Sequence, residues 1–365
     1  MPRWQDELTR TTQRVSENNT VSISRRRMLQ VGGAGVLLGA VSPITTAAES
    51  DGSSGPGIRH ERYPGPLGGG DGVPSDLVYS ASEADIVVTN GDVNAALNSA
   101  SSGDVIYIQG SAGGFTADVA NVTIAGNRGI GSDGRIRGAI TVAANNVEFT
   151  GLSIDRGSRS STAITINARG ATFTNCLVEN AGGARGAIRY PITNSGTTWR
   201  QCRFQNFSFY GHQIAYNWHD ENNKIVFEYC DFNNLGQHMI SGGYGWFHLR
   251  DNHFRGRLEH RHDHVIEVRG TGGAPVSCGT RCGNAIVEHN LCEARGSSGA
   301  AGLVRVRGVP TQGVWISNNV APACSESTGG CESNGSHGGW RDQLVMQNAA
   351  SSGEFDEVHI SNNRL

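Results

Sequence analysis

An eight-residue frame recurs along the chain: two variable positions, an apolar one, two variable, Cys or Asn, one variable and a usually apolar last position. Copies occupy 171–178, 197–204, 225–232, 247–254, 285–292, 314–321 and 358–365, with fainter ones starting at Val122 and Val147. Early copies follow one another at a nearly even interval typical of stacked repeats, and later ones lie further apart. Within a copy the apolar positions alternate with period two, which predicts a short strand with one inward face. A second strand is predicted between copies at Ile140–Val142, Ile164–Ile166, Ile188–Tyr190, Ile266–Val268, Val304–Val306 and Leu344–Met346.

A repeat of this length cannot close a core alone, but stacked repeats bury one continuous core. The pattern predicts an all-β, single-stranded parallel β-helix whose equivalent residues form ladders about 4.8 Å apart. The sixth frame position is such a ladder: Cys176, Cys202 and Cys230, then Asn252, Asn290, Asn319 and Asn363. Asparagine there suits a bent backbone and can bond its copies above and below. Val93, Ala96, Leu97 and Ala100 share a helical face behind Asp92, predicting a short helix that caps the first repeat.

Composition narrows the class. Glycine is 51 of 365 residues, proline only 10, and charged residues 17%, which excludes collagen and extensive disorder. The net charge of −3 gives no electrostatic case for nucleic-acid binding. Ser24-Arg25-Arg26-Arg27-Met28-Leu29, the apolar run 31–41 and Thr46-Ala47-Ala48 resemble a twin-arginine signal, with an ordinary secretory signal as the alternative. The run is too short for a permanent membrane anchor. The expected organisation is a signal over 1–48, a flexible Gly/Ser/Pro-rich linker over 49–80, and a β-helix domain over 81–365. Without residues 1–48 the chain keeps 24 basic and 30 acidic groups, a charge of −6. The expectation is a secreted, monomeric protein.

Cys176, Cys202, Cys230 and Cys292 read as buried small hydrophobes. Cys278, Cys282, Cys324 and Cys331 lie in two long insertions and are the disulfide candidates of an exported chain. A zinc site from those four is the alternative, but no His sits at ligand spacing beside either pair.

Chemistry is expected on outward strand positions. With Ile266, Val268, Val304 and Val306 inward, Glu267, Arg269, Arg305 and Arg307 form an outward block, beside the polar run 257–264. Arg269 and Arg307 become ladder neighbours, and like charges so placed destabilise a sheet unless an anion bridges them. The plainer alternative is a Glu267–Arg305 surface pair with the other two in solvent. Arg189, central in the Ile188–Tyr190 strand, joins the outward set. His212, His238 and His264 recur at one equal interval, as a proton-transfer or metal column or as corner residues bonded to backbone. In the loop 216–224, Trp218 could stack on a sugar ring, and Asp220 and Glu221 could bind calcium, if the loop is not simply solvated.

The opening helix and the Asn ladder resemble the pectate-lyase-like right-handed parallel β-helix family, over about residues 85–365. The runs 264–270, 286–293 and 303–308 further resemble a stretch of alginate lyases and chondroitinase-B-type lyases. That likeness implies β-elimination from a uronic-acid polymer, with Arg307, His264 or His238 catalytic. Arg269, Arg305, Arg189 and Trp218 would bind substrate. Calcium is the implied cofactor, on Glu267 or Asp263, and an acidic polysaccharide the implied partner. The chain departs from those families in carrying arginine at 307 where they carry lysine, and Gln347 where they carry arginine. A non-catalytic carbohydrate-binding or surface structural protein is the main alternative. A glycoside hydrolase would need facing carboxylates, and the Asp-Asp pair and Arg-x-Lys of polygalacturonases are absent.

Overall fold

The structure, a computed structural model, describes residues 56–59, 62–63, 65–74, 79–89, 91–183, 186–191, 196–208, 211–214, 224–234, 236, 239–242, 246–258, 264–269, 281–282, 284–296, 299–300, 302–307, 309–310, 313–321, 345–347 and 358–364. These residues are nearly all β, in parallel strands that stack into an eleven-stranded and a fifteen-stranded sheet. The larger sheet forks at the long strand Arg135–Val142. Arm 1 runs from Ser153–Asp155 through Leu177–Glu179, Arg203–Gln205, Asp231–Asn233 and His253–Arg255 to Leu291–Cys292. Arm 2 runs from Ile164–Ile166 through Ile188–Tyr190, His212–Ile214, Ile240–Gly242, His264–Arg269 and Gly302–Arg307 to Val345–Gln347. The chain visits the eleven-stranded sheet, arm 1 and arm 2 in that order, so each strand pairs with its counterpart one repeat later.

Inward positions form apolar rows because the registers hold repeat after repeat. Phe149, Phe173, Trp199 and Phe227 occupy one row of the eleven-stranded sheet, with Phe173 and Trp199 stacked 3.9 Å apart. Phe204, Phe232 and Phe254 line arm 1. At the other end, the helix α1 (Val93–Leu97) buries Val93, Ala96 and Leu97, and the Asp92 carboxylate accepts from Asn94 N–H at 2.9 Å. This is the cap expected from the periodicity.

The Cys/Asn column is also present, at the corner between the eleven-stranded sheet and arm 1. Asn290 Nδ2 donates to Leu249 O, Glu288 O and Asn319 Oδ1, and Asn290 N–H donates to the same Oδ1 at 2.9 Å. The Cys202 thiol reaches the two equivalent carbonyls, Phe173 O at 3.4 Å and Arg200 O at 3.2 Å. Cysteine therefore does with one proton what asparagine does with two. Burial pushes the Cys176 and Cys202 thiols well up, which keeps them protonated donors.

Immediately before each column member, one residue takes the left-handed conformation: Asn175, Gln201, Tyr229, Asp251, His289, Asn318 and Asn362, with φ between 46° and 56°. Such a residue turns the corner in a single step, at a cost of about 1 kcal/mol for non-glycine types.

Two expectations need correction. The described part of the Gly/Ser/Pro-rich segment does not run free. Residues 56–59, 62–63 and 65–74 lie along that corner as a strap crossing six repeats. Gly57 N–H bonds Asn318 O, Arg59 and Arg62 reach Asp251, Gly68 N–H bonds Tyr229 O, and Gly70 N–H bonds Asn175 Oδ1. The glycines serve close approach: a Cβ on Gly69, itself at φ +65°, would sit 2.4 Å from Asn175 Oδ1. The last arm-2 strand also shifts by one residue. Val345 rather than Leu344 stands in register with Val304, Met346 with Arg305, and Gln347 with Val306. A one-residue slip exchanges the two faces of a strand, so Gln347 is no neighbour of Arg307.

Candidate functional site

Arm 2 brings much of the expected charged block together. Thr165, Arg189, Gln213, Ser241, Glu267, Arg305 and Met346 are successive Cα partners in one row. Arg269 stands opposite Arg307, and His264 opposite Gly302. Ile266, Val268, Val304 and Val306 are all in the core, which puts Glu267 and Arg305 on the opposite side of their strands. Glu267 is nevertheless only 1% exposed, so the exposed Glu267–Arg305 surface pair is not what forms. A carboxylate buried at an outward position needs compensation, and Arg305, half-buried, is its ladder neighbour. His238, Trp218, Asp263, Cys278, Cys324 and Cys331 lie outside the described residues, as do Asp220 and Glu221. Cys282 ends the two-residue strand Arg281–Cys282.

The histidine column breaks at its first member. His212 is the register partner of Ile188 and Ile240, not of His238, because the repeat that leads from His212 to Ile240 is longer than the step from one histidine to the next. It therefore fills an isoleucine position in the core, fully buried among Phe204, Phe227 and Phe232. Trp199 Nε1–H donates to Tyr190 Oη at 2.7 Å, and that hydroxyl lies 2.9 Å from His212 Nδ1. The geometry suits a Tyr190 hydroxyl donating to Nδ1, which leaves the proton on Nε2, against aromatic rings. Burial holds the imidazole well below its usual range, so it is neutral at pH 7. It is a structural histidine.

A second charged region, not anticipated from sequence, lies at the strapped corner. Asp251 is held bidentately by Arg59, through Nε at 2.9 Å and a terminal nitrogen at 2.8 Å, and by Arg62 at 3.0 Å. That hydrogen bonding raises the Arg59 pKa. Asp231 is held bidentately by Arg255, with both contacts at 2.7 Å, and by Arg203 at 2.9 Å. Glu228 takes Arg200 at 3.3 Å, Arg250 and the Tyr63 hydroxyl. The row Arg200, Glu228, Arg250, Glu288 alternates in sign along the eleven-stranded sheet. Nearby, the His248 imidazole bonds Glu288 at 2.9 Å and holds that carboxyl below its usual range. The sequence signal for this region was the arginine–acid–arginine order at ladder spacing.

No family model and no curated protein matches the chain. The site must therefore be argued from its own residues, and calcium is the first test. Calcium takes six to eight oxygen ligands. Glu267 does not fit that demand, with Arg305 beside it in the ladder and Arg269 and Arg307 nearby in register. Among the described residues no three His, Cys, Asp or Glu side chains cluster to hold a metal.

Proposed function

We propose that the chain is a right-handed parallel β-helix protein, exported from the cytoplasm, that cleaves a uronic-acid polymer by β-elimination on arm 2. The single observation that carries the reading is the register pairing of Arg269 with Arg307 beside Glu267 and Arg305. Like charges directly opposite cost stability, and the negative charge of a substrate carboxylate held beside the pair repays that cost. The strand order of eleven-stranded sheet, arm 1 and arm 2 supports the helical winding.

In this reading Arg269 and Arg305 neutralise the uronate carboxylate, which acidifies the C5 proton. His264 removes that proton, the alternative being Arg307 after it has given up its own proton and with it its charge. The electron pair forms the C4–C5 double bond, and the C4 oxygen leaves with a proton from the other group. Glu267 positions Arg305. Arg189, three steps down the row from Glu267, extends the binding line to about 14 Å.

A panel of polyuronates, each incubated with the protein with and without calcium, tests this by the ultraviolet absorbance of unsaturated products. Arg307→Ala should lower turnover about 100-fold or more, because a proton-transfer group acts in the transition state. If the parent leaves every polyuronate intact, the lyase reading fails. A non-catalytic carbohydrate-binding protein then takes its place, a reading that draws on the placement of His212 in the core and away from the face. Export is tested separately: Arg25→Lys with Arg26→Lys should abolish secretion if the twin-arginine reading is right.

A further inference from the structure

The thiol column lies directly behind the glycines of the strap. Asn175, Gln201 and Tyr229 immediately precede Cys176, Cys202 and Cys230, and each of the three meets one strap glycine. Gly70 N–H donates to Asn175 Oδ1 at 2.9 Å, and Gly68 N–H donates to Tyr229 O at 3.0 Å. Between them, a Cβ on Gly69 would stand 2.5 Å from Gln201 O. Gly68, Gly69 and Gly70 take φ of 78°, 65° and 94°, so three consecutive glycines step across three consecutive repeats. Arg128, only 8% exposed, fastens this segment by donating to Gly68 O at 3.0 Å.

Inside the corner the three thiols are free and fully buried. Like Cys202, Cys176 and Cys230 each reach two carbonyls: Phe149 O and Thr174 O at 3.6 and 3.3 Å, and Trp199 O and Glu228 O at 3.5 and 3.3 Å. The flanking strands hold register on both sides, so neighbouring column members stand one ladder step, about 4.8 Å, apart. Their Cα atoms are therefore within the range of about 4.4–6.8 Å that a disulfide spans, but a bridge draws the Cβ atoms to about 3.8 Å. A bridge between neighbours also removes both thiol protons from their carbonyls and pulls the column out of its spacing. In the unfolded chain the same cysteines lie about one repeat apart, and loops of that length close readily.

We propose that the column makes folding redox-sensitive: the stack closes only while Cys176, Cys202 and Cys230 are reduced, and once closed it is sealed against oxidants by the strap. The trapping reaction is thiol–disulfide exchange. Two column thiols and one glutathione disulfide give one column disulfide and two glutathione thiols. Attack needs a thiolate with access to the oxidant, and in the folded corner each thiol keeps its proton on a carbonyl and has no exposed surface. The chain therefore has to fold where thiols stay reduced. This inference is independent of the activity assigned to arm 2 and is tested without it.

The test unfolds the full chain in guanidinium with reductant and refolds it with either reductant or glutathione disulfide. Native yield is read by near-ultraviolet circular dichroism, and bridges are located by peptide mapping. The expected yield is about threefold or more lower in oxidant, with bridges that include column cysteines, and reductant should restore it. The same oxidant applied to the folded protein should leave all three column thiols free. Cys176→Ser with Cys202→Ser and Cys230→Ser keeps a donor at each position and should refold equally well in both conditions. Equal yields for the parent, column bridges formed in the folded protein, or a serine variant as oxidant-sensitive as the parent each overturn the proposal. Should the serine variant not fold, the parent's peptide map decides, and bridges confined to Cys278, Cys282, Cys324 and Cys331 overturn it. Gly69→Val forces a side chain against Asn175 and Gln201, and should speed alkylation of Cys202 in the folded protein about tenfold. A parent-like rate overturns the seal assigned to the strap.

Discussion

The strapped corner and the face of arm 2 are both rich in arginine, and they arrange it in opposite ways. At the corner, charges alternate along the ladder, and every buried acid sits between two arginines. On arm 2, arginine stands opposite arginine at 269 and 307, beside one buried acid at 267. Ladder neighbours only about 4.8 Å apart make alternation the arrangement that stability favours. Departure from it marks where stability yields to another requirement. Substitutions should therefore act with opposite sign in the two regions.

The largest effect is expected at Asp251. Its carboxylate is fully buried at a left-handed corner position, and two arginines of the strap converge on it. Asp251→Asn leaves both guanidinium groups short of their counter-ion and removes the strap's main anchor. Stability in urea should fall by about 3 kcal/mol, and proteolysis within residues 56–74 should accelerate. A loss under about 0.5 kcal/mol, the size of an ordinary surface change, would mean that the strap is only laid on the corner. Next comes Arg255→Gln, which ends the bidentate grip on Asp231 while Arg203 remains. The expected loss is about 2 kcal/mol, read by the same denaturation.

The repeat, the column and the capping helix were legible because each is a local periodic signal. The strap was not. Arg59 and Asp251 are 192 residues apart, and glycine-rich composition reads as flexibility until its close approach to Asn175 is seen. The corner's fifth frame position was visible as Asn, Gln, Tyr, Asp, His, Asn and Asn, but only backbone angles reveal its left-handed role. His212 misled because spacing was counted between histidines, whereas register is set by the flanking apolar residues. The site itself was legible as a pairing of strands. The burial of Glu267 was not, because alternation reports a side of the strand and not what covers it.

His212 offers the next test, on the inner side of arm 2. Its folded pKa lies below the unfolded value near 6.5, so the unfolded chain binds the extra proton first. Its contribution is intact above pH 6.5 and is lost as pH falls toward the folded pKa. The slope is about 1.4 kcal/mol per pH unit. Between pH 6.5 and about 5, before ordinary carboxylates titrate, His212→Gln should flatten that slope. The variant should also be less stable at pH 7, because the aromatic packing around the imidazole is lost. An equal slope in parent and variant would mean that His212 can be protonated where it stands.

The smallest effect is the sharpest, because its sign separates the two regions. Arg269 stands opposite Arg307 across one ladder step, and Arg305 lies in the same strand as Arg307. Arg269→Gln removes one member of a like-charged pair, and Glu267 keeps Arg305 as its ladder neighbour. Relief of that repulsion should raise stability by about 0.5 kcal/mol at low ionic strength, and the gain should shrink with added salt. If arm 2 acts as proposed, the same variant should bind polyuronate more weakly, because it lacks a cation assigned to the uronate carboxylate. Denaturation and binding are read on one protein preparation, so the two signs can be compared directly. A destabilised variant would place Arg269 in a corner-like charge network, and unchanged binding would remove it from the site.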